Sequence, residues 1–166
     1  TRHDSHARLA AAALRAGKDV FVEKPLALTV PELLEVEQAW RASGRRLMVG
    51  FNRRHSPHAA AARTFLASAA GPALLHLRVN AGDVPAGSWV NDPVAGGDRV
   101  RGELCHFVDL AHYLVGEIAL TAEAVGVPPK NAGSPVEDLA VLLHFSSGSV
   151  ANLFYTARGH RALPRE

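Results

Sequence analysis

Three stretches of the 166-residue chain carry side chains able to move protons. In Val20-Phe21-Val22-Glu23-Lys24-Pro25, three apolar strand formers run into an acid, an amine and a proline. A short buried strand ending in lysine sets that amine at the carboxyl edge of a sheet, where open α/β sheets bind their ligands. The fixed φ of Pro25 restricts the backbone beside Lys24. Asn52 and Arg53 follow a second apolar run, Leu47-Met48-Val49-Gly50-Phe51. If the two runs pair in parallel, both strand ends face one cleft. The third stretch, Gly102-Glu103-Leu104-Cys105-His106-Phe107-Val108-Asp109, spaces Glu103, His106 and Asp109 by three at the start of a helix. An imidazole flanked by two carboxylates has its cationic form favoured. A histidine that takes a proton near neutral pH is the commonest general base.

Each of these residues also has a plainer reading. Lys24 is then a surface lysine, and Glu103 and Asp109 are dipole partners on a solvated helix face. His106 is one of nine histidines, most of which must be surface groups or satisfied in the core. His3, Asp4 and His6 hint at a metal, but two histidines in a loop without a third ligand do not make a site, and none is expected. Trp89 either lines a pocket or pins its loop. Arg53 and Arg78 suit an anionic substituent on a substrate, or are structural.

The elements that would position these groups follow from periodicity and punctuation. Ser5 reads as the N-cap of an Ala- and Leu-rich helix over 6–16 that Gly17 stops. Thr29-Val30-Pro31-Glu32 is a capping box, and the helix after it carries Leu33, Val36 and Trp40 at helical spacing up to Gly44. With the strands at 20–22 and 47–51 this makes a βαβ unit with a parallel sheet. Ser56-Pro57 opens the next helix, to about residue 70. The period then changes: Leu75, Leu77 and Val79 alternate with His76, Arg78 and Asn80, a strand with one polar face. Residues 81–102 form a long Gly-, Pro- and Asp-rich loop, the kind that usually carries function. A helix over 103–115, a strand over 121–127, a loop over 128–135 and a hairpin of 138–145 with 149–157 complete the chain. The fold class is therefore α/β. The last part of a Rossmann-type doubly wound domain (1–55) is followed by an α+β domain with a mainly antiparallel open sheet (56–166), truncated at its C-terminus. The absence of an initiator Met and the loop-like Thr1–His6 read as an internal piece, with another strand before residue 1.

Composition excludes several classes. Eighteen Lys and Arg against sixteen Asp and Glu leave a net charge of +2 with no basic stripe, so no nucleic-acid surface is expected. There is one cysteine, hence no disulfide framework or cysteine metal site. No apolar run is long enough for a bilayer, and the expected location is cytoplasmic.

Taken in order, Thr1–His6, Glu23-Lys24-Pro25, Gly50-Phe51-Asn52-Arg53-Arg54 and Gly102–Asp109 resemble the Gfo/Idh/MocA family of dinucleotide-dependent oxidoreductases. The stretch from Asn80 to Leu110 is most similar to the subgroup fused behind a zinc-type alcohol-dehydrogenase-like domain. The resemblance implies NAD or NADP as cofactor and a sugar, cyclitol or similar polyol as substrate. It also implies a homo-oligomer built through the open sheet. It maps Lys24 and His106 to the catalytic pair. Thr1, His3, His6, Glu23, Lys24, Pro25, Asn52 and Arg53 fall along the cofactor, and Arg53, Arg78, Trp89, Glu103 and Asp109 are left for substrate. Many members carry an aspartate four residues before the histidine; here that place is Gly102, with Glu103 next. The glycine-rich phosphate loop would lie before residue 1, so this chain alone is expected to bind dinucleotide weakly. The alternatives are a ligand-sensing regulator of the same fold that does not turn over substrate, and an inactive fragment.

Overall fold

The computed structural model describes residues 1–82, 84–85, 87–92, 94–129, 136–160 and 162–164. Helix α1 (His6–Arg15) starts out of a 3-10 turn, His3–Ser5. Ser5 does not cap it as expected: its hydroxyl donates back to the Arg2 carbonyl at 2.7 Å. Strand β1 (Val20–Val22) follows, then helix α2 (Val30–Ser43) and strand β2 (Leu47–Val49). The capping box of α2 is complete. Glu32 N–H donates to the Thr29 hydroxyl at 3.4 Å, and Thr29 N–H donates to the Glu32 carboxylate at 3.0 Å. β1 and β2 pair in parallel, Phe21 opposite Met48.

The small core here is Ala7, Ala10, Ala11 and Leu14 of α1 against Val36 and Ala39 of α2. Alanines let two helix backbones approach closely, so the buried face of α2 is Val36 with Ala39. The stripe expected through Leu33 and Trp40 is exposed instead. The strands are not buried on both faces either: Phe21 is 66% and Met48 47% exposed, because each sends its middle side chain to the side away from α1 and α2.

After a 3-10 turn (Asn52–His55), helix α3 (Pro57–Ser68) is capped by the Ser56 hydroxyl, which accepts from Ala59 N–H at 3.1 Å. The remaining elements are strand β3 (Leu74–Asn80), a 3-10 turn (Trp89–Asn91), a π-helical turn (Val100–Leu104), helix α4 (Cys105–Val115) and strands β4 (Thr121–Gly126), β5 (Leu139–His144) and β6 (Val150–Thr156). The helix expected from Glu103 therefore begins as a π turn and becomes α-helical at Cys105. The loop read over 128–135 lies outside the described residues from 130 onward. Four strands form one sheet in the order β3-β6-β5-β4, with β3–β6 parallel and the other two pairs antiparallel. Its inner face buries Val79, Val141, Leu143, Ala151, Leu153 and Tyr155. Its outer face leaves Leu74, Val125, Leu142 and Phe154 exposed, with Arg78 in the same row.

The chain divides into two compact units. One comprises Thr1–Phe51 with Ala86–Gly102; the other comprises Asn52–Pro85 with Glu103–Glu166. No helix among the described residues is long and apolar enough to cross a membrane.

Candidate active site

In the first unit the end of β1 becomes chemically loaded through contacts with main-chain carbonyls. Lys24 Nζ donates to the Gly102 carbonyl at 2.5 Å, and the Lys24-Pro25 peptide is cis. His6 Nδ1 lies 2.9 Å from the Pro25 carbonyl, and His3 Nδ1 lies 2.8 Å from the Gly96 carbonyl. A carbonyl only accepts, so both imidazoles carry their proton on Nδ1 and present Nε2 as an acceptor when neutral. Burial holds the His3 pKa below its ordinary value. The charges of Lys24 and His6 push the same way, against the opposing effect of the Gly96 carbonyl. Burial first, and the nearby Lys24 ammonium after it, favour a neutral His3.

Residues 87–92 and 94–102 build the rest of this cluster. Asp92 Oδ1 accepts from the N–H groups of Val94 and Ala95, which holds its carboxyl below the usual range, and its carbonyl accepts from Gly96 and Gly97. Gly96 is required here: a Cβ would stand 2.4 Å from the Val90 carbonyl oxygen. Trp89 meets the His3 ring edge-on at 4.8 Å, so this loop tryptophan is fixed against a site histidine. Arg101 ties the segment to the start of α2 by donating to the Leu28 carbonyl at 2.9 Å while paired with Asp98. Glu23 leans over the end of β2, where a Cβ on Gly50 would approach its carboxylate to 3.2 Å.

Thr1, His6 and Glu23 share a cavity of about 340 Å³ with Leu9, Ala10 and β1. Its position at the carboxyl end of a parallel strand, with an apolar wall and three polar groups, fits part of a dinucleotide. Among the described residues no cluster of His, Cys, Asp and Glu is arranged to hold a metal.

In the second unit the side chains hold one another. Arg54 clamps Asp109 with two hydrogen bonds, one of them 2.9 Å long from Nε. That carboxylate keeps the Arg54 guanidinium above its ordinary pKa, against the effect of burial. Asp109 is thus engaged structurally rather than solvated. Arg53 lies over the Phe107 ring at 4.5 Å. Asn52 is exposed at the start of its 3-10 turn. His106 is buried in the first turn of α4. Glu103, on the π turn before it, accepts a hydrogen bond from Tyr155 at 2.5 Å. Sequence reasoning passed over Tyr155 and the carbonyls of Gly96 and Gly102; the only signal for Tyr155 was its place in the alternation of β6.

The first unit thus gathers a lysine at the carboxyl end of a parallel strand, two imidazoles and a cavity of about 340 Å³. Residues 1–51 match the model of the GFO_IDH_MocA oxidoreductase family, an NAD-binding Rossmann fold. The chain is 30% identical to an inositol 2-dehydrogenase of Rhizobium meliloti over 91% of its own length and 47% of that protein. It is 26% identical to a levoglucosan dehydrogenase of Pseudarthrobacter phenanthrenivorans, over 96% of this chain and 48% of the relative. The crystal structure of an oxidoreductase domain protein from Kribbella flavida superposes with a TM-score of 0.82 at 27% identity, covering 96% of this chain and 49% of that one. The chain belongs to the Gfo/Idh/MocA oxidoreductase family, and it spans about half the length of the curated relatives it matches.

Proposed function

We propose that the protein containing this chain is an NAD(P)-dependent dehydrogenase acting on a hydroxyl-bearing carbon of a sugar, cyclitol or similar polyol. The observation that carries this reading is Lys24, its ammonium fixed on the Gly102 carbonyl at the carboxyl end of β1. The names of the inositol and levoglucosan dehydrogenases support the substrate class. Thr1, His3, His6, Glu23 and Pro25 would hold the dinucleotide, with Asn52 and Arg53 at the chain's exit from β2. What a bound nicotinamide supplies is an acceptor for the hydride of the oxidised carbon.

The chain's own residues handle the proton. In the second unit His106 serves as general base for the substrate hydroxyl, and in the first the Lys24 ammonium is the donor for developing negative charge. Glu103 and Trp89 would recognise the substrate's other hydroxyls and its carbon skeleton. Asp109 serves through Arg54. Arg78, on the outer sheet row, belongs with the open face. That face is the surface we propose for a second copy, since Phe154 and Leu142 are exposed there and Asn152 Oδ1 is buried without a hydrogen-bond partner among the described residues.

The test is polyol-dependent reduction of NAD or NADP by the complete polypeptide. Lys24→Ala and His106→Ala should each lower turnover by roughly 10²-fold or more. If both keep near wild-type turnover, the assignment is wrong. The same protein should sediment as a dimer or larger, and a monomer would remove the open face from the reading.

A further inference from the structure

Tyr155 lies in the centre of the sheet with no exposed surface, on the row of inward positions that also holds Ala151 and Leu153. For packing alone, phenylalanine would fill that position as well. The hydroxyl is what needs explaining, because a buried phenol must find a partner. Its partner is the Glu103 carboxylate, 2.5 Å away and 52 residues back in sequence. That length is the short end of the range for a hydroxyl donating to an ionised oxygen, the strong class of hydrogen bond.

Glu103 sits where the backbone itself does least to aim it. Residues Val100–Leu104 form a π turn, and α-helical geometry starts only at Cys105. A wider turn leaves the direction of its side chains less determined by the regular helical row that fixes neighbours three and four apart. The sheet adds a fixed donor to it. The hydroxyl anchored in β6 pins one oxygen of the carboxylate. Glu103 precedes His106 by three residues, so the acceptor held by Tyr155 belongs to the same short segment as the base.

We propose that Tyr155 is a positioning residue: from the sheet interior it holds Glu103 oriented to accept a hydrogen bond from a substrate hydroxyl adjacent to the one oxidised. This rests on the polyol dehydrogenase reading and extends it, because it makes the enzyme select substrates with a second hydroxyl beside the reacting one. Tyr155 touches no substrate. Its effect runs through Glu103 and falls on binding more than on the proton transfer at His106.

The experiment is steady-state kinetics of the complete polypeptide with a vicinal diol substrate, such as a cyclitol, in a double-mutant cycle of Tyr155→Phe and Glu103→Gln. Tyr155→Phe should raise KM by roughly tenfold, the range for losing a hydrogen bond to a charged group, with kcat within about threefold of wild type. In the Glu103→Gln background the same change should have little further effect, since residues acting through one another are non-additive. Glu103→Asp keeps the charge, leaves β6 untouched and shortens the reach to Tyr155; it should raise KM similarly, which covers the case in which Tyr155→Phe does not fold. An unchanged KM in Tyr155→Phe, an equal KM rise with and without Glu103, or wild-type KM in Glu103→Asp would each overturn the proposal. A wild-type enzyme that oxidises no polyol would instead remove the reading beneath it.

Discussion

His3, His6 and Lys24 each end on a peptide carbonyl, those of Gly96, Pro25 and Gly102, whereas Arg54 and Tyr155 end on the carboxylates of Asp109 and Glu103. Both arrangements satisfy buried polar groups, but they differ in what holds the acceptor. A carbonyl is placed by the path of the backbone and cannot be deleted by substitution. A carboxylate is placed by its own rotamer and can be removed from either side. The first unit therefore depends on glycines and turns that shape its loops. The second depends on pairs whose members answer for each other. The same contrast continues at the sheet rim, where Asp138 accepts from Thr156 and Ala157 and pairs with Arg158.

The largest effect should come from disturbing a backbone path in the first unit. Gly96→Ala puts a methyl group into contact with the backbone of Trp89 and Val90, which cannot give way as a flexible side chain would. It should cost about 3 kcal/mol in urea denaturation, at the upper end for overpacking. The Gly96 carbonyl would move with the loop, and the imidazole of His3 would lose its acceptor. A loss below about 1 kcal/mol would show that the segment is not held as described.

Asp109→Ala should cost less, about 2 kcal/mol. Asp109 is 10% exposed but Arg54 is 36% exposed, which places the pair between buried and surface ion pairs. Because each partner answers for the other, Arg54→Ala with Asp109→Ala should cost clearly less than the sum of the two. Additive losses would erase the distinction drawn between the units.

The smallest effect is a pH dependence that both units share. Burial holds His3 and His112 below their ordinary pKa of 6.5, with the charges of Lys24 and His6 adding to it for the first and that of Arg54 for the second. An imidazole whose folded pKa lies below its unfolded one takes up a proton more readily in the unfolded chain. Its contribution is therefore whole above about pH 6.5 and is lost as pH falls toward the folded value. Denaturation measured from pH 8 down to pH 5 should show stability declining below 6.5, and His3→Gln and His112→Gln should each flatten the curve. An unaltered slope in both variants would assign the dependence to other groups.

The parts of this molecule legible in its sequence are those decided within a few residues. Thr29 with Glu32, and Ser56 with Pro57, announce helix starts because cap and capped group are neighbours. The alternation of β5 and β6 shows which side chains point inward. The exposed faces were misread where a face depends on what lies across it: Leu33 and Trp40 have helical spacing, yet the alanines of α1 choose Val36 and Ala39. Ser5 has the chemistry of a cap, but the preceding 3-10 turn takes its hydroxyl to Arg2. For the candidate site, Lys24 and His106 stood out by residue type and context. Nothing local joins His3 to Gly96 or Tyr155 to Glu103, because those contacts are made by chain that returns from 93 and 52 residues away.

The sheet order β3-β6-β5-β4 has a consequence for how this chain is made. β6 follows β3, β4 and β5 in sequence yet lies between β3 and β5, and among the described residues it is the strand that β3 pairs with, so this pairing waits until residues 150–156 have left the ribosome. Up to that point the β3 edge is open, and pairing across such a separation is intrinsically slow. The phenol that holds Glu103 arrives on that same strand. Synthesis of β6 thus brings β3 its partner and Glu103 its anchor in one step, with the unpaired β3 edge exposed to wrong partners in between.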